Sequence, residues 1–239
     1  MVDLTSETSI SVLSWLMLIM GPVTASFLLS GIQAMYGRYA TDGMLSISAR
    51  PGWMIQEFPS FALAVLGLMQ AQSTGGAFVI FLFMVHYVNR TFIYPFQLSN
   101  PKPSPIIIVA TAILFTTWNG YIQGFHHAWY YDYAPGHFTS LVTVVGLFLF
   151  IAGAAINLHS DHILRNLRKP GETGYKIPKG GMFEYVSGAN FLGESLPAVA
   201  FAVYTVSNIG PRALHHHQWY LAKFKDYPNN RKALIPFVL

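Results

Sequence analysis

Cysteine is absent from this chain of 239 residues. Disulfides, thiolate nucleophiles and Cys-ligated zinc are therefore excluded, and the redox compartment cannot be read. Charge is scarce as well. Lys and Arg number 14 and Asp and Glu 10, together 10% of the residues, against about 25% in ordinary soluble domains. That is too little to solvate the surface of a soluble globule of this size. Hydrophobic residues make up 53% and aromatics 15%, which excludes a disordered or collagen-like chain. What is present is long apolar runs separated by short polar loops, the pattern of a polytopic membrane protein. No internal repeat, low-complexity tract or soluble domain interrupts it, so residues 1–239 read as one integral membrane domain.

The runs predict spanning helices at about residues 9–35, 53–72, 77–94, 106–125 and 139–158. The first is too long for a signal-peptide core and has no small-residue cleavage pattern behind it. Residues 183–209 are apolar again, and the tail from 211 to 239 is basic and aromatic.

Basic residues orient the layout, because cytosolic loops hold the excess of Lys and Arg. With the N-terminus outside, the inner loops carry Arg38 and Arg50, then Arg90 and Lys102, then Arg165, Arg168, Lys169, Lys176 and Lys179. The outer loops at 70–76 and 126–137 carry none. The rest, Arg212, Lys223, Lys225, Arg231 and Lys232, lie in the tail. All 14 share one face if the tail is cytosolic, and an even number of crossings then separates 181 from 211. The expectation is an all-α bundle of seven transmembrane helices. Yet 183–209 supplies only about 40 Å of helix at about 1.5 Å per residue, whereas two crossings need about 40 residues. Either it crosses once and breaks the charge rule, or chain is missing there.

Ionisable groups within apolar spans are costly and are functional candidates by default. Glu57, beside Gln56 in WMIQEFPSFALAVLG, is the clearest; the alternatives are a carboxylate reaching the interface or one tying helices together. To donate a hydrogen bond it must carry its proton. Tyr87 in VHYVNRTFIY sits at a matching depth, about two turns from the inner end of its span. Asn157, His159 and Asp161 close the fifth span on the inner side; Glu184, Tyr185, Ser187, Asn190 and Glu194 open the next. His215, His216 and His217 are consecutive, and neighbours about 100° apart cannot all face one metal, so no metal site is expected. LRKPGETGYKIPKGG is basic and Gly-punctuated and could hold phosphates, or could be a plain cytosolic loop. Polar groups of several helices thus converge near the basic face, suggesting a membrane cavity open to the cytosol that admits an anionic partner.

Two long stretches, INLHSDHILRNLRKPGETGYKIPKGGMFEYVSGANFLGE at 156–194 and RALHHHQWYLAKFKDYPNNRKALIPFVL at 212–239, resemble the steroid 5-alpha-reductase family. WMIQEFPSF and HYVNRTFIY resemble it too, and the likeness runs from 51 to the C-terminus. The resemblance implies an NADPH-dependent reductase of the C4–C5 double bond of 3-oxo-Δ4 steroids. By that likeness Glu57 and Tyr87 hydrogen-bond the 3-oxo group, with Gln56 ordering the Glu57 side and the nicotinamide end. Asn157, Asp161, Arg168, Tyr175, Asn190, Glu194, Arg212, His216 and Tyr220 hold or flank NADPH, and Trp53 and Phe115 line the steroid cavity. The chemistry agrees: an enone accepts hydride at its β-carbon when charge can collect on the carbonyl oxygen, and two donors in a dry site stabilise that charge.

The chain departs from the family pattern in three places. Gly193 and Glu194 run straight into Ser195, Leu196 and Pro197, where relatives have part of a helix, so a missing segment between 194 and 195 is expected. Lys102 stands where relatives tend to have Arg, and Thr111 where some have Arg. Competing readings are reduction of another conjugated substrate (a polyprenal, a sterol or an enoyl-CoA) or a proton-coupled transporter using Glu57. A lipid-soluble substrate and the bilayer are the expected partners, with no nucleic acid. The protein is expected to be a monomer, in a bacterial inner membrane or the endoplasmic reticulum.

Overall fold

A computed structural model describes residues 5–32, 39, 43–99, 101–130, 137–139, 141–169, 172, 174–194, 213–225, 227–228 and 230–233. Seven crossings are expected; among the described residues five helical segments are long and apolar enough to cross a membrane. They contain α1 (Glu7–Leu29), α2 (Ala49–Met69), α3 (Thr74–Val88) with its extension to Gln97, α5 (Ile106–Trp129) and α6 (Leu141–Arg165). In a bilayer every backbone polar group must be satisfied internally, which is why such runs become helices. Polar side chains within them do the same: Ser14 and Ser26 donate back to the carbonyls of Ile10 and Pro22, each at 2.9 Å.

The expected run at 183–209 is different in its described part. Gly181–Glu184 is a 3-10 turn, and only the short helix α7 (Ala189–Glu194) comes after it. The remainder of that run, the 194–195 junction and Arg212 lie at or beyond the limit of the described residues.

The chain divides into two compact units, Met1–Leu16 with Ala34–Ser140, and Met17–Gln33 with Leu141–Leu239. In the first, α2 and α5 pack backbone against backbone. A Cβ added at Gly120 would stand 2.7 Å from the Ser60 Cα, one at Gly124 2.8 Å from the Leu63 carbonyl, and one at Gly67 2.7 Å from the Gly124 carbonyl. Small residues four apart let helices approach this closely in lipid, where packing and hydrogen bonds replace the hydrophobic effect. The closeness admits two interhelical hydrogen bonds, from Ser60 Oγ to the Thr116 carbonyl at 2.7 Å and from Thr116 Oγ1 to the Gln56 carbonyl at 2.6 Å. At one end of the pair, β1 (Ser46–Ile47) and β2 (Ser104–Pro105) form an antiparallel rung. At the other, the Gln72 amide donates to the Ala128 carbonyl at 3.1 Å. The register of α2 on α5 is thus fixed at both ends.

A π-helical turn, Asn89–Ile93, joins α3 to the short helix α4 (Tyr94–Gln97). Such turns carry one residue more than the α-helical ladder accommodates and recur at functional sites.

In the second unit α7 lies on α6. A Cβ at Gly193 would come within 2.5 Å of the Asn157 amide nitrogen, so glycine is what allows the contact. The tail clasps the preceding loop through a parallel bridge, Val186 to Lys232, with Ser187 N donating to the Lys232 carbonyl at 2.7 Å and Gly188 N to that of Ala233 at 2.9 Å. Arg231, buried, donates to the Pro178 carbonyl at 3.0 Å and pairs with Glu184 at 3.5 Å. Residues 213–223 are helical, and His217 Nδ1 lies 2.7 Å from Ser187 Oγ.

Burial, and secondarily Lys232, holds the His217 imidazole below its ordinary pKa. The unfolded chain therefore takes up this proton first as pH falls. The clasp is at full strength above about pH 6.5, the ordinary histidine value, and weakens as pH falls through the lowered native pKa. Protection factors for the amides of Ser187, Gly188 and Lys232 are expected to drop between pH 7.5 and 5. A His217→Gln protein is expected to show no such drop; an equal drop in both proteins would exclude His217 as the cause.

Candidate active site

Trp53, Glu57 and Ser60 are four and three residues apart on α2 and so share one face. Glu57 is 9% exposed. Its Oε1 accepts from Gln56 Nε2 at 3.4 Å and faces Arg90 Nη2 at 3.9 Å. The Arg90 guanidinium lies over two neighbouring rings, 4.7 Å from the centroid of Trp53 and 4.7 Å from that of Tyr94, whose centroids are themselves 5.0 Å apart. Paired cation–π contacts suit a planar guanidinium in a poorly solvated place. The π turn carries Arg90 and leads directly into Tyr94, and so supplies both the cation and one of its rings. The partner required by an acid within a span is therefore on the adjoining helical segment.

Tyr87 is buried at 4% exposure. Its ring packs on Phe83 at 4.7 Å and on His86 at 5.2 Å. Asn119 Nδ2 donates to the phenol oxygen at 3.3 Å, and Ser60 and Glu57 are near enough to act on the phenol electrostatically. The structure thus brings Gln56, Glu57 and Tyr87 together, with Trp53 beside them through Arg90. Phe115 is half-buried on α5 one turn before Asn119. Thr111, an outlier in the family pattern, is exposed and donates to the carbonyls of Ile107 and Ile108 in its own helix, each at 3.0 Å.

Sequence reasoning missed Arg90 as the Glu57 partner, and missed Ser60, Tyr94, Thr116 and Asn119. For Asn119 the signal was available, since a polar amide within an apolar span invites the scrutiny Glu57 received.

The second unit gathers the other expected residues. Asn157 Nδ2 donates to the Asn190 carbonyl at 3.1 Å and to Glu194 Oε1 at 3.3 Å. Asp161, 4% exposed, is one turn beyond Asn157 on α6. Beside it Ser160 Oγ is buried without a hydrogen-bond partner among the described residues. His216 packs on Phe191 at 5.7 Å. Tyr220 stacks on Tyr227 at 5.4 Å, and its neighbour Trp219 meets Tyr175 edge-on at 5.0 Å. Arg168 is exposed and reaches the Gly174 carbonyl at 3.5 Å. Glu172 is occupied by Lys176 and by the Lys169 amide, which together hold its carboxyl below the usual carboxylate range. The basic loop therefore offers Arg168 outward while Lys176 is paired. Amide and carboxylate groups, an exposed guanidinium and aromatic faces are the donor set a dinucleotide needs.

A family model described as 3-oxo-5-alpha-steroid 4-dehydrogenase matches residues 102–239. The chain is 43% identical over 229 residues to 3-oxo-5-alpha-steroid 4-dehydrogenase 1 of Rattus norvegicus, covering 88% of each chain. It is 46% identical over 209 residues to 3-oxo-5-alpha-steroid 4-dehydrogenase 2 of Homo sapiens, covering 80% of this chain and 82% of that one.

Proposed function

Because this chain belongs to the 3-oxo-5-alpha-steroid 4-dehydrogenase family, we propose that it reduces the C4–C5 double bond of 3-oxo-Δ4 steroids with NADPH. The observation that carries the reading is the meeting of Glu57 and Tyr87, from neighbouring helices, in one buried polar cluster. The Glu57 carboxyl, carrying its proton, and the Tyr87 hydroxyl both donate to the 3-oxo oxygen. As C5 accepts hydride, negative charge moves to that oxygen, and both donors bind it more strongly than the ground-state carbonyl. A proton then completes C4. Gln56 and Arg90 hold Oε1 and so orient the Glu57 carboxyl. Trp53 and Phe115 give the steroid an apolar wall.

NADPH, when bound, supplies the hydride. Asn157, Asp161, Asn190, Glu194, Arg212, His216 and Tyr220 orient it, and Arg168 and Tyr175 engage its outer end. The Lys and Arg of these loops support a cytosolic setting for this side of the protein and for the C-terminus, within a bundle of seven crossings. The membrane then delivers an apolar substrate while the cytosol delivers the cofactor.

The test is NADPH consumption by the purified protein with a 3-oxo-Δ4 steroid, with the 5α-reduced product identified by mass spectrometry. Steroid-dependent oxidation of NADPH is expected. Turnover of a fatty enoyl-CoA with none of the steroid would replace the substrate assignment.

A further inference from the structure

The phenol oxygen of Tyr87 has one hydrogen to give and lone pairs to receive. Asn119 Nδ2 occupies a lone pair at 3.3 Å. Ser60, the other neighbour, spends its own hydrogen on the Thr116 carbonyl at 2.7 Å, so it presents only lone pairs to the phenol. Asn119 thus holds the phenol oxygen on its acceptor side and leaves the phenol's own hydrogen to be donated. A hydroxyl whose oxygen accepts in this way donates its hydrogen more strongly.

Packing does not account for Asn119. Its side chain is fully buried at 0% exposure, and its Oδ1 has no hydrogen-bond partner among the described residues. A stranded buried acceptor costs stability, and a leucine would fill similar space without one. The gain that offsets this cost is the Nδ2 contact with Tyr87.

We propose that Asn119 is a positioning residue for the reduction: by donating to the Tyr87 phenol oxygen it commits the phenol's own hydrogen to the 3-oxo oxygen when substrate is bound. This rests on the assignment of Tyr87 as a carbonyl donor. As charge builds on the substrate oxygen, the phenol releases more of its hydrogen and its oxygen becomes more negative. The Asn119 N–H then binds that oxygen more tightly than it does in the ground state, so the contribution falls on kcat rather than KM.

The experiment is a double-mutant cycle with Asn119→Leu, Tyr87→Phe and the double variant, measuring kcat, steroid KM and Tm. Asn119→Ala serves as a companion should leucine not fit. Asn119→Leu is expected to lower kcat about tenfold, the scale of one neutral hydrogen bond. Steroid KM should stay within about twofold, and Tm should be unchanged or raised. In the Tyr87→Phe background the same change is expected to cost nothing more. Losses that multiply across the cycle, unaltered kcat in Asn119→Leu, or a fall in Tm with both Asn119 variants would overturn the proposal while leaving Tyr87 in place. Full activity of Tyr87→Phe would overturn the Tyr87 assignment and this inference with it.

Discussion

Glu57→Gln is expected to lower kcat by about 10²-fold while NADPH binds normally. Losing one donor to a developing oxyanion costs about 10²–10³ in rate. The glutamine amide still carries an N–H, but a weaker acid than a carboxyl group, which puts the loss at the lower end. The steroid KM should change little, because the ground-state carbonyl gains much less from an acidic donor than the charged oxygen does. NADPH affinity should hold, since Glu57 is not among the residues assigned to the cofactor. Stopped-flow hydride transfer and equilibrium NADPH binding on the same preparation separate the two quantities. Wild-type kcat combined with weakened NADPH binding would move Glu57 from the substrate to the cofactor.

Gly120→Val should be as damaging without touching a reacting group. Even a Cβ at this position would stand 2.7 Å from the Ser60 Cα, so α2 and α5 must separate. Overpacking of this kind costs about 1–3 kcal/mol. The activity loss should exceed what that implies, because Glu57 and Ser60 ride on α2 while Asn119 rides on α5. A displacement of about 1 Å at such a site costs about 10²-fold in rate. Thermal unfolding and turnover measured together give the result. A protein with native Tm and native kcat would show that the helices tolerate the wider spacing.

Much of this arrangement was legible in the sequence. Apolar runs located five long helices, with ends off by as many as seven residues at 158 against Arg165, since hydropathy and length alone decide what crosses a bilayer. Glu57 stood out for the same reason, as did the depth it shares with Tyr87. What escaped was partnership. The Arg90 clamp needs the π turn, which has no hydropathy signature, and composition does not say whether Arg90 faces a loop or Glu57. The tight α2–α5 seam was written as Thr116, Gly120 and Gly124 at intervals of four, but small residues read as unremarkable when apolar content is the measure. The tail clasp was hidden because a parallel bridge between 186 and 232 joins segments distant in sequence, neither of which has strand periodicity.

The π turn at Asn89–Ile93 also bears on descent. A helix acquires such a turn when a single residue is inserted and the ladder bulges rather than shifting the whole downstream segment. Deleting one residue here would restore an α-helix and rotate that segment by about 100°, carrying Tyr94 off the guanidinium. Chain length through this turn and the Arg90–Tyr94 contact thus depend on each other. A lineage that lost the extra residue would have had to find another way to hold Arg90 beside Glu57.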